Sequence, residues 1–257
     1  MSPISQERIA SVRVAAPDDI RRAAEALHVI AMECGMRAAP AHDIADKRTP
    51  TDEAGNLLAR DVFGWADSER VWWRNSRIAL DSPLTTACRY ESEPFWVNAE
   101  GFRTRQENRF LSVIDLSNFE ARAMTRAAIV VPVHLPFGQI GAVSFNPLDR
   151  NQTDLTEAFE AWSDALGLYA RTFISTYVRA VGNSRGLPPE SRLSKREVEC
   201  LRWAAIGKTD QEISMIMRRS RATVRFHMHN ASLKLNAVNR SQTVFKAAQL
   251  GYIWLTR

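Results

Sequence analysis

Arg221, Arg225 and His229 recur every four residues, and with Ala222 and Phe226 between them they would share one face of a helix. An arginine can donate to guanine O6 and N7 together, and a histidine can donate to the same base edge. Lys208, Thr209, Ser220 and Thr223 fall where helices should begin. Hydroxyls and unpaired backbone N–H groups at such starts suit phosphate oxygens. The chemistry indicated is recognition of double-stranded DNA rather than bond making.

The elements that would position these residues are short amphipathic helices. Ser194 with Glu197 three residues on forms a capping box, followed by Val198, Leu201, Trp203, Ala204 and Ala205, with a stop at Gly207. A second helix starts near Thr209, with Glu212 three residues later, and should bury Ile213, Ile216 and Met217. After the basic turn Arg218-Arg219-Ser220, a third helix sets Val224, Met228, Ala231 and Leu235 in one buried stripe. His227 lies nearer that stripe than the outer face, which predicts a structural hydrogen bond. A fourth helix runs from Ser241 to Leu250. Two helices joined by a tight turn make a helix-turn-helix, whose second helix enters the major groove. Charge agrees: from Pro188 to Arg257 there are thirteen Lys or Arg against five Asp or Glu, a net of +8. The whole chain is +5, which leaves about −3 for residues 1–187. The positive excess therefore sits on the small C-terminal module, as counterion release from DNA requires.

Leu193-Ser194-Lys195-Arg196-Glu197, Trp203, Gly207-Lys208-Thr209, Glu212-Ile213, Thr223-Val224, His227 and Lys234-Leu235 resemble the C-terminal domain of LuxR-type regulators in identity and spacing. The resemblance implies a DNA-binding domain whose fourth helix helps to pair two copies.

With 257 residues, the chain is long enough for two domains. It holds no apolar run of membrane-spanning length, and Glu7 and Arg8 near the start do not fit a signal peptide. Cys34, Cys88 and Cys200 are scattered and odd in number, which predicts free thiols in a cytoplasmic protein. No metal-ligand spacing or Gly-rich phosphate loop is present. His28, His42 and His134 have no nucleophile or carboxylate at a motif spacing, so neither an enzyme nor a cofactor is expected.

Residues 1–16 carry no periodic signal. A helix from Asp18 or Asp19 to near Gly35 is predicted, then a strand over Met36 to Ile44, a loop over Thr49 to Asn56, and a helix around Ser68 to Ala79. Further helices fit Leu84 to Tyr90 and Thr104 to Ser112. Ala128 to Leu135 and Gly141 to Asn146 form a hairpin through Pro136-Phe137-Gly138, and Pro132 places the first of these strands at an edge or marks a bulge. Thr153 to Val181 is one long helix with eight apolar positions from Leu155 to Val181, enough for a core face and a dimer face. The expected fold is α+β: residues 1–181 an α/β/α sandwich around an antiparallel sheet, 182–191 a linker by composition, and 192–257 a four-helix helix-turn-helix domain.

Asp81, with Trp96 fifteen residues later and Pro94-Phe95 between them, resembles the acyl-homoserine-lactone pocket of LuxR-type sensors. The resemblance implies that Asp81 accepts a hydrogen bond from a ligand amide, that Trp96 packs on a lactone ring and that Ser144 turns a hydroxyl towards the ligand. Where that family has a tryptophan and a tyrosine, this chain has Ser68 and Trp72. That exchange removes an indole donor and reshapes the pocket. The combined expectation is a homodimeric, ligand-responsive transcription regulator acting at a palindromic DNA site. Its ligand would be an atypical acyl-homoserine lactone or another small signal. The alternative keeps the DNA-binding module and makes the first domain a ligand-free dimerisation scaffold.

Overall fold

The computed structural model describes residues 4–45, 49–65, 80–182 and 192–254. The chain divides into two compact units, one built chiefly from residues 1–182 and the other chiefly from residues 183–257. The helix expected around Ser68 to Ala79 and most of the expected linker lie outside the described residues.

The first unit opens with α1 (Gln6–Ser11), capped by Ser5, whose side chain accepts from the Arg8 N–H. Pro17–Asp19 make one 3-10 turn and lead into α2 (Ile20–Glu33), which buries Ile20, Ala23, Ala24, Leu27, Ile30 and Ala31. There follow β1 (Met36–Ala41), α3 (Leu58–Asp61), α4 (Pro83–Ala87), β2 (Phe95–Asn98), β3 (Gly101–Arg103), α5 (Phe119–Ala123), β4 (Ala127–His134), β5 (Ile140–Pro147) and the long α6 (Thr156–Val181). The strands form an antiparallel sheet in the order β1-β5-β4-β2-β3. Side chains alternate across a pleated strand, so this sheet has two apolar faces. Trp96, Ile129, Val131, Val143 and Phe145 pack on one face with Leu27, Leu166, Tyr169 and Phe173 from α2 and α6. Phe95, Val97, Val130 and Ala142 pack on the other with Leu84, Cys88 and Phe119 from α4 and α5. This is the expected α/β/α arrangement. The outer strands are β1, which carries Pro40, and the three-residue β3.

Several expectations are corrected. Thr104 to Ser112 is turn and coil rather than helix, while Phe95 to Arg103 is a tight hairpin in which Asn98 pairs with Gly101. β4 is interior, not an edge strand. It tolerates Pro132 because β2 begins at Phe95, opposite Val130, so at Pro132 the only strand alongside is β5. The helix before β2 ends at Ala87, a turn short of Tyr90. The apolar stripe of α6 is covered mostly within its own unit, with Val181 exposed, so it serves as a core stripe. No described helix is long and apolar enough to cross a membrane.

The second unit is all helix among its described residues: α7 (Lys195–Ala205), α8 (Asp210–Ile216), α9 (Arg221–Lys234) and α10 (Arg240–Gln249). Both capping boxes form, Ser194 with Glu197 and Thr209 with Glu212, and Gly207 takes a φ of +89° just beyond α7. Leu201, Ile213, Val224, Ala231, Leu235 and Ala247 are fully buried together. Ile216 is the exception to the predicted core. It is the last residue of a helix only seven residues long, and it points outward.

Gly141 on β5 lies against Ile174 of α6. A Cβ there would stand 2.8 Å from Ile174 Cγ2 and 2.9 Å from the Ala41 carbonyl oxygen. Gly141→Ala should therefore lower the stability of the first unit by about 1–3 kcal/mol, read as a lower denaturant midpoint at unchanged slope.

Candidate nucleic-acid interface and ligand cavity

The geometry of α9 follows from what it buries. Val224, Met228 and Ala231 face α7 and α8, and Leu235 follows them, so the opposite face is turned to solvent. On that face Arg221, Ala222, Arg225, Phe226 and His229 are all exposed, as their spacing predicts. His227 is half-buried. It has no hydrogen-bond partner among the described residues, and its ring meets Phe226 edge-on at 5.7 Å, so the expected structural hydrogen bond is absent there.

The helix starts differ in electrostatics. At α9 the Ser220 hydroxyl caps the Thr223 N–H at 3.0 Å and lies 2.9 Å from the Thr223 hydroxyl. No acidic residue sits in the first turn of α9, so its leading N–H groups and macrodipole favour an anion. At α8 the Thr209 hydroxyl and N–H are both engaged by the Glu212 carboxylate, at 2.9 and 2.8 Å, and Lys208 pairs with the same side chain at 3.2 Å. Asp210 adds a second acid to that turn. The start of α9 is therefore the better phosphate seat, and Lys208 would have to exchange its carboxylate partner for a phosphate.

Sequence reasoning missed Asp210 and Arg240. Asp210 accepts a hydrogen bond from Arg240 Nη1 and faces Arg225 Nε at 3.8 Å. Arg240 lies thirty residues further along the chain, so only the fold brings the two together.

An ion pair on the buried Glu197 carboxylate holds the unit from behind. Lys234 Nζ reaches both oxygens of Glu197, at 2.9 and 2.8 Å, and the Ser194 N–H donates to the same carboxylate at 2.7 Å. Burial pushes the Glu197 pKa up, but the Lys234 and Ser194 contacts outweigh it and hold the group below its ordinary value.

In the first unit a cavity of about 1340 Å³ lies on the α4/α5 face of the sheet. Small side chains leave the room: Ala39 and Ala41 on β1, Ala142 on β5 and Ala123 on α5. One wall is fixed by Trp65, whose indole N–H donates to the Ala38 carbonyl at 2.7 Å, while the Arg37 guanidinium lies over the ring at 5.5 Å. Its polar lining includes Ser144 and Asn146, whose side chains lie 3.4 Å apart, and Thr49. The Thr49 hydroxyl is buried without a hydrogen-bond partner among the described residues.

Of the predicted ligand residues that lie among the described ones, Ser144 alone lines this cavity. Asp81 is exposed on a separate shallow depression with Tyr90 and Phe110, where Arg122 Nε pairs with its carboxylate at 3.4 Å and donates to its carbonyl at 3.1 Å. A carboxylate taken up by arginine is not the buried acceptor the resemblance implied. Trp96 points to the opposite layer, because Phe95 and Val97 occupy the cavity side of β2; there the Arg103 guanidinium lies 5.8 Å from its ring. Ser68 and Trp72 lie outside the described residues.

Residues 191–247 match the bacterial regulatory proteins of the luxR family. The chain is 35% identical over 132 residues to the transcriptional activator protein VanR of Vibrio anguillarum, covering 50% of this chain and 52% of that protein. It is 30% identical over 187 residues to the transcriptional activator protein AhyR of Aeromonas hydrophila, covering 72% of this chain and 69% of that one. The chain belongs to the LuxR family. The match thus spans about half the length of VanR and somewhat more of AhyR. A crystal structure of Escherichia coli SdiA aligns over 97% of this chain and 96% of that one, at 20% identity and a TM-score of 0.48. In this LuxR-family chain the helix-turn-helix is formed by α8 and α9.

The capping boxes make the second unit sensitive to acid. Glu212 is held down to about 2, first by the Thr209 N–H, then by the Thr209 hydroxyl and Lys208. A depressed carboxylate contributes stability above its unfolded value of 4.5 and loses it as pH falls towards the folded one. Glu212→Gln should flatten the pH dependence of unfolding between about 4.5 and 2, measured by urea denaturation across that window.

Proposed function

We propose that this chain is a ligand-responsive transcription regulator that binds double-stranded DNA through the outer face of α9. The observation that carries this reading is the pairing of a fully buried stripe with an exposed Arg221, Arg225 and His229 face, on a module of net charge +8. Arg225 and His229 read base edges, while Arg221, Ser220 and Thr223 serve phosphates at the start of α9. A homodimer on a palindromic site fits the geometry of helix-turn-helix proteins, which set two recognition helices about one DNA turn apart.

The first unit acts as the sensor. A cavity larger than most small-molecule sites, walled by alanines and addressed by the Thr49 and Ser144 hydroxyls and the Asn146 amide, supports a mostly apolar ligand bearing a few polar groups. Asp81 stands outside that cavity, which favours a molecule other than a standard acyl-homoserine lactone. Binding biases the packing or pairing of the first unit and so the spacing of the two recognition helices.

Arg225→Ala should weaken binding to a selected site by about tenfold or more while changing random-sequence affinity little. Lys208→Ala should weaken both alike and lower the salt slope by about one. Competition binding across a salt series checks both, and equal losses for Arg225→Ala would remove α9 from base readout. Ala142→Phe fills the cavity and should abolish the thermal shift given by any small molecule that co-purifies with the wild-type protein. A retained shift would move the ligand elsewhere.

A further inference from the structure

We propose that Asp210 is a positioning residue for base readout, holding the Arg225 guanidinium in the pose that selects a guanine. The inference rests on the DNA-binding reading above and adds a specificity-setting residue to it.

Asp210 is the first residue of α8, and its side chain is mostly covered. One carboxylate oxygen is taken by Arg240, the first residue of α10, whose other terminal nitrogen donates to the Lys208 carbonyl at 2.6 Å. Arg240 therefore spans the loop before α8 and fixes the carboxylate from behind. The second oxygen is turned towards α9 and faces Arg225 Nε at 3.8 Å. Three helices meet at this one carboxylate.

Arginine has two separate donor edges. A carboxylate at Nε leaves Nη1 and Nη2 to point onward, and in Arg225 neither meets an acceptor among the described residues. Those two donors are the pair that guanine O6 and N7 accept side by side. An exposed ion pair at this distance contributes little to stability. Its effect is conformational: a long, solvent-facing side chain is kept in one of its many rotamers before DNA arrives, which lowers the ordering cost of the specific complex alone.

The assignment has an unusual signature. A carboxylate beside a phosphate-binding surface opposes non-specific binding, because that binding is electrostatic. Neutralising Asp210 should therefore reduce discrimination without reducing affinity for DNA in general. If Asp210 only tied α8 to α10 through Arg240, its loss would lower stability and every DNA affinity together.

The test uses the full chain and a randomised duplex library, with bound DNA sequenced and affinity for poly(dI-dC) measured across a salt series. The wild-type chain is expected to enrich a guanine at one position of each half-site, and Arg225→Ala to erase that preference. Asp210→Asn should cut the preference at that same position about tenfold, with poly(dI-dC) affinity equal or higher, and Asp210→Glu should restore most of it. Asp210→Ser, which keeps a helix-start residue, repeats the measurement if the asparagine variant does not fold. An unchanged guanine preference in the neutral variants overturns the assignment, and so does an equal fall in selected-site and poly(dI-dC) affinity. If the wild-type chain binds DNA and selects a site but Arg225→Ala leaves it intact, the positioning role falls and DNA binding stands. Failure of the wild-type chain to bind any duplex overturns both.

Discussion

Burial of one side of α9 is the constraint on which the second unit depends. Val224, Ala231 and Leu235 are fully covered, and burying each such aliphatic side chain contributes about 1.5–3 kcal/mol, although alanine contributes less. A helix cannot turn about its axis without exposing that stripe, so the opposite face is fixed in direction as firmly as the core is packed. Arg221, Arg225 and His229 need no anchoring of their own to face outward. The Glu197–Lys234 pair adds a second restraint, joining the start of α7 to the last turn of α9.

The first unit solves a different problem with the same logic. Its sheet is apolar on both faces, and helices cover each of them. On the α2/α6 side, Phe145, Tyr169 and Phe173 are fully buried among smaller side chains. On the α4/α5 side, alanines on β1, β5 and α5 leave space, and polar groups from the 49–65 segment and β5 line it.

The legible parts of this chain were the local ones. Capping boxes, the glycine after α7 and the spacing of the α9 stripe all act within four residues of each other, and each stands as its sequence indicates. The hairpin of β4 and β5 was legible for the same reason. β2 and β3 were not, because strands of four and three residues carry too little alternation to register. Alternation tells that Phe95 and Trp96 face opposite ways without telling which way is which, and Trp96 packs in the layer opposite the pocket that the resemblance implies for it. Asp81 looked available because its partner Arg122 lies forty-one residues away. The Asp210–Arg240 pair was hidden by a separation of thirty. Long-range polar contacts of this sort leave no period in a sequence.

The outer strands of the sheet carry a consequence for self-association. An open sheet invites edge-to-edge addition, since unpaired backbone groups are a template for another chain. Here β1 interrupts its donors with Pro40, and β3 is only three residues long. Neither rim offers a continuous ladder for a neighbouring copy to extend. Edge-to-edge addition is therefore disfavoured at both rims, and crowded or partly unfolded molecules find little along them to propagate from.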